Sequence, residues 1–104
     1  EGNTLNATAP IPVIDLTNGV YNAPELVISF KNNTVTGAAW ASGLIMFKQI
    51  KSIAVEGNTF SASDASALLG SAGTVEEAST VKGNTMPEGW TVFSGDPIAN
   101  VTVE

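Results

Sequence analysis

Alternation of apolar and polar side chains leads into a short motif that recurs along the chain. The motif consists of a Gly or Asn, an Asn-Thr pair and an apolar residue, and it lies within residues 1–5, 31–35, 56–60 and 82–86. Its Asn-Thr pairs are 30, 25 and 26 residues apart. A sequence period in this range indicates a solenoid, in which one structural unit is stacked on the next.

Each motif is predicted to form a tight turn between two β-strands. Phe30, Val55 and Val81 stand three residues before the Asn, and isoleucines stand five residues before it in two repeats, which is the alternation of a strand. Another apolar residue follows two positions after the Asn. The residue directly before the Asn is Gly2, Asn32, Gly57 or Gly83. These residue types adopt a left-handed backbone at the lowest cost, so we expect a positive φ there.

Further strands are predicted between the motifs. The candidates are residues 13–16, 43–47, 67–69 and 90–93, and residues 50–55 and 98–103 match each other as the strand that leads into the motif. Residues 61–69 could instead form a short helix, with Ser63 or Asp64 as N-cap. The pattern predicts an all-β fold, a parallel β-solenoid of about four coils with two or three strands in each coil. The preference of parallel crossovers predicts a right-handed coil.

A column of charges is predicted on the outside of the solenoid. The positions two residues before each Asn, together with the last residue, are Glu1, Lys31, Glu56, Lys82 and Glu104. In-register parallel strands lie about 4.8 Å apart, so these side chains would have opposite charges as neighbours. An exposed pair contributes about 0.2 to 1 kcal/mol. The column is expected to favour the correct register more than it stabilises the fold.

Composition and charge limit the classes of function. The 104 residues include 43% hydrophobic and 13% charged residues, a size that predicts one domain over 1–104. A net charge of −6 without arginine argues against nucleic acid as a partner. No apolar stretch is long enough to predict membrane insertion. The absence of cysteine excludes disulfides and thiolate metal sites, and we expect neither cofactor nor metal.

The repeated motif resembles the coils of right-handed parallel β-helix proteins, the pectate-lyase-like superfamily. That family includes many bacterial secreted and surface proteins, and the non-catalytic members are the nearest in type. The resemblance implies that an asparagine at the turn stacks on its equivalents as an internal amide ladder. In this chain the ladder would consist of Asn3, Asn33, Asn58 and Asn84. It also implies a secreted or bacterial cell-surface location.

Catalysis is not expected, although many members of the family cleave acidic polysaccharides. Enzymes of this fold use carboxylate clusters with His, Arg or Lys nearby, and this chain has no His and no Arg. Its aspartates, Asp15, Asp64 and Asp96, lie at different phases of the repeat, so nothing pairs them as acid and base. Glu76 and Glu77 are interpreted as a solvated loop. A calcium ion on Asp64, Glu76 and backbone carbonyls is conceivable, but the spacing does not require it.

Three aromatic residues are candidates for ligand binding. Flat aromatic rings suit stacking against sugars and protein interfaces, and Trp40, Trp90 and Tyr21 are the residues of this type. The favoured alternative is that Trp40 folds over the edge of the solenoid and Trp90 fills the interior of a coil. If these rings are exposed, the expected ligand is a glycan or a protein.

The sequence leaves several readings open. One repeat fits the template of a leucine-rich-repeat-like solenoid, but the others depart from it.

The expected function is a non-enzymatic structural or adhesive repeat module, and the alternative is a fragment of a polysaccharide lyase or hydrolase whose catalytic residues lie elsewhere. A third candidate is an ice- or crystal-surface binder that uses the threonine column Thr4, Thr34, Thr59 and Thr85.

The two ends of the sequence suggest further stacking. Residues 1 and 104 occupy the same phase of the repeat, and neither end carries an obvious polar capping element. Solenoid ends need caps, and unpaired strands invite pairing. We therefore expect a segment of a longer repeat protein, or end-to-end stacking on another chain.

Overall fold

The fold is all-β. A computed structural model describes residues 1–7, 14–16, 22–37, 43–62, 67–70 and 73–104, and within these ranges the chain forms twelve strands and no helix. The predicted all-β fold class is therefore confirmed. The alternative of a helix over residues 61–69 is wrong, because Thr59–Ala62 and Ala67–Leu69 are strands on either side of the undescribed residues 63–66. Pairing with strands from neighbouring repeats outweighs the local capping signal.

The strands form three sheets, and every strand pair is parallel. Sheet 1 contains β1 (Thr4–Ala7), β4 (Thr34–Gly37) and β7 (Thr59–Ala62). Sheet 2 contains β2 (Ile14–Leu16), β5 (Ile45–Phe47), β8 (Ala67–Leu69) and β11 (Thr91–Phe93). Sheet 3 contains β3 (Asn22–Lys31), β6 (Gln49–Glu56), β10 (Ser79–Lys82) and β12 (Val101–Val103), and β9 (Thr74–Val75) also pairs with β6.

Within each sheet the strands lie in chain order. Residues at equivalent positions of successive repeats are paired. Thr34 pairs with Thr59 in sheet 1, and Lys31 and Lys82 both pair with Glu56 in sheet 3. The register shifts once in sheet 3, between Ala23 and Val27 of β3. Pro24 lies in this irregular stretch, where its missing N–H removes a ladder bond.

Apolar side chains from all three sheets form one core. It includes Ile53 and Val55 of β6, Phe60 of β7 and Leu69 of β8, which are at most 3% exposed. All three residues of β8 are buried, which explains its continuous apolar run. The rings of Phe30 and Phe60 stack at a centroid distance of 6.4 Å, and those of Phe60 and Trp90 at 5.8 Å.

The turns between sheets 3 and 1 have the expected left-handed backbone. The φ angles of Gly2, Asn32, Gly57 and Gly83 are 65°, 53°, 66° and 65°. The predicted positive φ at this position is confirmed in all four repeats. Asn32 is tolerated directly before the ladder residue Asn33, because Asn adopts a positive φ more readily than other residues that carry a side chain.

Two glycines approach each other closely next to β5 and β8, the central strands of sheet 2. Gly43 has φ of 131°, and a Cβ on it would lie 2.5 Å from the backbone nitrogen of Gly70. Because backbone cannot yield as a side chain can, this position accepts only glycine.

Candidate functional site

The most ordered polar feature is a column of asparagines at the corner between sheets 3 and 1. In each turn the Asn follows the left-handed residue. The two central ones, Asn33 and Asn58, are only 3% and 1% exposed, whereas Asn84 is half-buried and Asn3 is exposed. Asn33 donates from its backbone N and its Nδ2 to Oδ1 of Asn58, at 2.8 and 3.2 Å. Asn58 donates in the same way to Oδ1 of Asn84, at 2.9 and 2.9 Å. Asn3 likewise donates to Oδ1 of Asn33, at 3.1 and 3.0 Å.

The amide of Asn58 uses its full hydrogen-bonding capacity. Its oxygen accepts two bonds from Asn33, and its Nδ2 donates to Asn84 and also to the backbone oxygen of Phe30, at 2.8 Å. Asn84 makes the equivalent bond to the oxygen of Val55, also at 2.8 Å. A buried polar group costs free energy unless it is bonded, so this network allows amides inside the fold.

The charge column is paired at its centre. The Glu56 carboxylate lies 3.7 Å from Nζ of Lys31 and 3.8 Å from Nζ of Lys82. Glu1 instead accepts a hydrogen bond from Nδ2 of Asn32, at 3.5 Å. Among the described residues, no ion pair reaches Glu1 or Glu104, so the column joins three of the five charges expected from the sequence. Edge strands hold their side chains on one side only, which explains the difference at the two ends.

A second charged group lies on sheet 3 and the bend after β9. Lys51 Nζ is 3.9 Å from Glu77, and Gln49 donates from Nε2 to Glu76 at 2.5 Å. Glu76 and Glu77 are both exposed. Over the described ranges, no group of three or more Asp and Glu residues could hold a metal ion.

The two described aspartates lie in different parts of the fold. Asp15 lies on β2 of sheet 2, and Asp96 lies in the bend after β11 and is exposed. Asp64 falls outside the described residues. The two described aspartates therefore belong to different repeats.

Of the three aromatic candidates, only Trp90 lies in the described part of the chain. Trp90 is partly buried, packs against the core and stacks on Phe60. This position corresponds to the packing alternative more closely than to an open binding surface. Trp40 and Tyr21 lie outside the described residues.

Two polar residues with structural roles have no counterpart in the repeat motif. Ser79 is 4% exposed, accepts from the backbone N of Ile53 at 3.0 Å, and donates to the oxygen of Glu77 at 3.0 Å. Asn100 has φ of 70° and donates from Nδ2 to the oxygen of Val75 at 2.8 Å. The preference of Asn for positive φ is the one sequence signal that could have identified Asn100.

Comparison with family models, curated proteins and solved structures found no match to this chain. In the described portion there is also no helix long and apolar enough to cross a membrane.

Proposed function

We propose that the chain is a right-handed parallel β-solenoid of four coils. The first three coils have a strand in each of the three sheets, and the fourth has strands in sheets 2 and 3 and an isolated bridge from Thr85 to sheet 1. Support comes from the parallel pairing of successive repeats in chain order. A leucine-rich repeat contributes one strand per repeat, with a helix or 3₁₀ turn. The recurrence of strands in three sheets favours the β-helix over that alternative.

This solenoid serves as a non-enzymatic structural and adhesive module of a secreted or bacterial-surface protein, with a glycan or protein ligand on one face. The asparagine ladder is the observation that carries the proposal. Buried amides that bond to one another and to the backbone of neighbouring repeats stabilise the stacking of repeats, which is the task of a structural module. The paired charges of Glu56 with Lys31 and Lys82 act in the same direction.

Binding and turnover measured together distinguish this function from a polysaccharide lyase or hydrolase. The chain is applied to an array of acidic and neutral glycans and incubated with the glycans that it retains. We expect retention without release of unsaturated or reducing ends. Product formed in proportion to the protein would contradict the proposal and support the enzymatic alternative.

Two tryptophan variants locate the binding face. Trp40→Ala is expected to weaken glycan retention, since Trp40 is the candidate stacking residue in a glycine- and alanine-rich segment. Trp90→Phe is the matched control, because a ring that still packs on Phe60 preserves the core and leaves retention unchanged. Equal retention by wild type and Trp40→Ala would remove Trp40 from the site.

A further inference from the structure

The outer face of sheet 1 carries two columns of small polar residues. Thr4 pairs with Thr34, Thr34 with Thr59, and Thr59 with Thr85, and all four threonines are exposed. The second column has Thr36 and Ser61 at register positions two residues further along β4 and β7. The sequences of β1, β4 and β7 contain no charged residue, and their single aromatic residue, Phe60, is buried.

The threonine column repeats at a distance that suits hydrogen-bonded water. Adjacent parallel strands lie about 4.8 Å apart, so the hydroxyls recur at about that interval. A water molecule that bonds tetrahedrally to two oxygens at about 2.8 Å holds those oxygens about 4.6 Å apart. One water can therefore bridge each pair of neighbouring hydroxyls without strain in its bonds. Within the described residues, none of the four hydroxyls has a protein hydrogen-bond partner that would compete with such a water.

The ladder beside this face holds the threonines in place. The backbone N of Thr34, Thr59 and Thr85 donates to the backbone carbonyl oxygen, not the side-chain amide, of Asn3, Asn33 and Asn58, at 2.8, 2.9 and 2.8 Å. Side-chain ladders stabilise flat sheets against the usual twist, and β-branched threonine is stiff at χ1. The hydroxyls are thus presented as a regular and rigid array.

We propose that the outer face of sheet 1 orders water on this array and thereby binds ice. Ice fits better than a polysaccharide, because a sugar-binding face would use exposed aromatic rings for stacking, and the described strands of sheet 1 present none. An acidic or basic polymer is equally unsuited, because the charges on sheet 3 and its turns have no equivalent here. This binding is additional to the ligand proposed above and does not depend on it.

Thermal hysteresis of the whole chain tests the proposal. Wild type is expected to depress the freezing point below the melting point and to inhibit ice recrystallisation. Thr59→Tyr places a bulky ring in the middle of the column and should lose the greater part of both effects. Thr102→Tyr makes the same change at an exposed position of β12 in sheet 3 and should leave both effects unchanged.

The folded state of each variant is checked by its thermal melting curve, and Thr34→Tyr in the neighbouring strand replaces Thr59→Tyr if that variant unfolds. Absence of hysteresis and of recrystallisation inhibition in wild type overturns the proposal. Equal loss in the sheet 1 and sheet 3 variants overturns it too, because the effect would then not belong to this face.

Discussion

At the scale of single residues, the corner between sheets 3 and 1 depends on two adjacent positions with different roles. The first position adopts a positive φ, which turns the chain from sheet 3 into sheet 1. The second position is an Asn, and in the central repeats its side chain lies in the interior and bonds to the next repeat. Neither role suffices alone, because an inward amide without its partners would be a buried unsatisfied group.

Removing the central amide is expected to cost more than removing the outer one. Asn58→Ala leaves donors and acceptors of Asn33, Asn84 and Phe30 unpaired, so unfolding in urea should show a loss of about 3 kcal/mol or more. Asn3→Ala is the control, because the exposed Asn3 only donates to its neighbour, and it should lose about 1 kcal/mol. Equal losses would show that the ladder does not stabilise the fold in this way.

The two glycine turns allow backbone strain to be separated from a steric clash. Gly57 and Gly83 have nearly the same φ, 66° and 65°, so either change to Ala should cost about 1 to 2 kcal/mol. A Cβ on Gly57 would also lie 2.5 Å from Oδ1 of Asn32, whereas the nearest atom to a Cβ on Gly83 is 3.8 Å away.

A double-mutant cycle measures the difference. Gly57→Ala should be only slightly more destabilising than Gly83→Ala, because the exposed Asn32 side chain can move away at low cost, and Asn32→Gly in the same chain should remove the small excess. If the excess remains after Asn32→Gly, the Asn32 side chain is not its cause.

At the scale of elements, the inner strands of each sheet are held between strands of neighbouring repeats, and β6 shows this most fully. It pairs with β3 on one side and with β9 and β10 on the other, and Glu56 at its end contacts a lysine from each side. The pairs are partly exposed, with Lys82 at 50% and Glu56 at 22%. Their contribution to stability is therefore small and sensitive to salt.

Reversing the central charge should expose that contribution. Glu56→Lys replaces two attractive contacts with two repulsive ones, and a loss of about 1 to 2 kcal/mol is expected at low ionic strength. Most of that loss should disappear in about 1 M salt, where the Debye length is about 3 Å. Glu88→Lys makes the same charge change at an exposed turn outside the column and should show little effect. A salt-independent loss in Glu56→Lys would indicate the lost hydrogen bond from Thr80 Oγ1 to Glu56 or a packing defect instead of repulsion.

At the scale of the whole molecule, the predictable part of the fold is the part that the repeat controls. The Asn-Thr spacing and the alternation before Asn33 and Asn58 predict parallel strands in register, and the strand at 67–69 has the predicted bounds. The ring stack of Phe30, Phe60 and Trp90 was not predictable, because it depends on how side chains from separate segments meet in the interior.

Long-range polar contacts and surface chemistry also could not be predicted from the sequence pattern. Ser79 bonds to the backbone of Ile53, 26 residues away, and no local signal indicates such a partner. The ends of the charge column differ from the expectation because an alternating pattern cannot show which strands lack a neighbour on one side. The repeat residues mainly hold one repeat against the next, so they carry little information about a ligand.

Disulfide trapping tests most directly whether equivalent positions lie over one another in successive repeats. The chain has no cysteine, so pairs can be introduced without background. Thr34→Cys with Thr59→Cys should oxidise within one chain, because paired residues of adjacent parallel strands lie about 4.8 Å apart and a disulfide spans Cα distances of about 4.4 to 6.8 Å. Thr34→Cys with Thr85→Cys, two strand spacings or about 9.6 Å apart, should stay reduced. Oxidation of the second pair in preference to the first would contradict the stacked register on which the whole account depends.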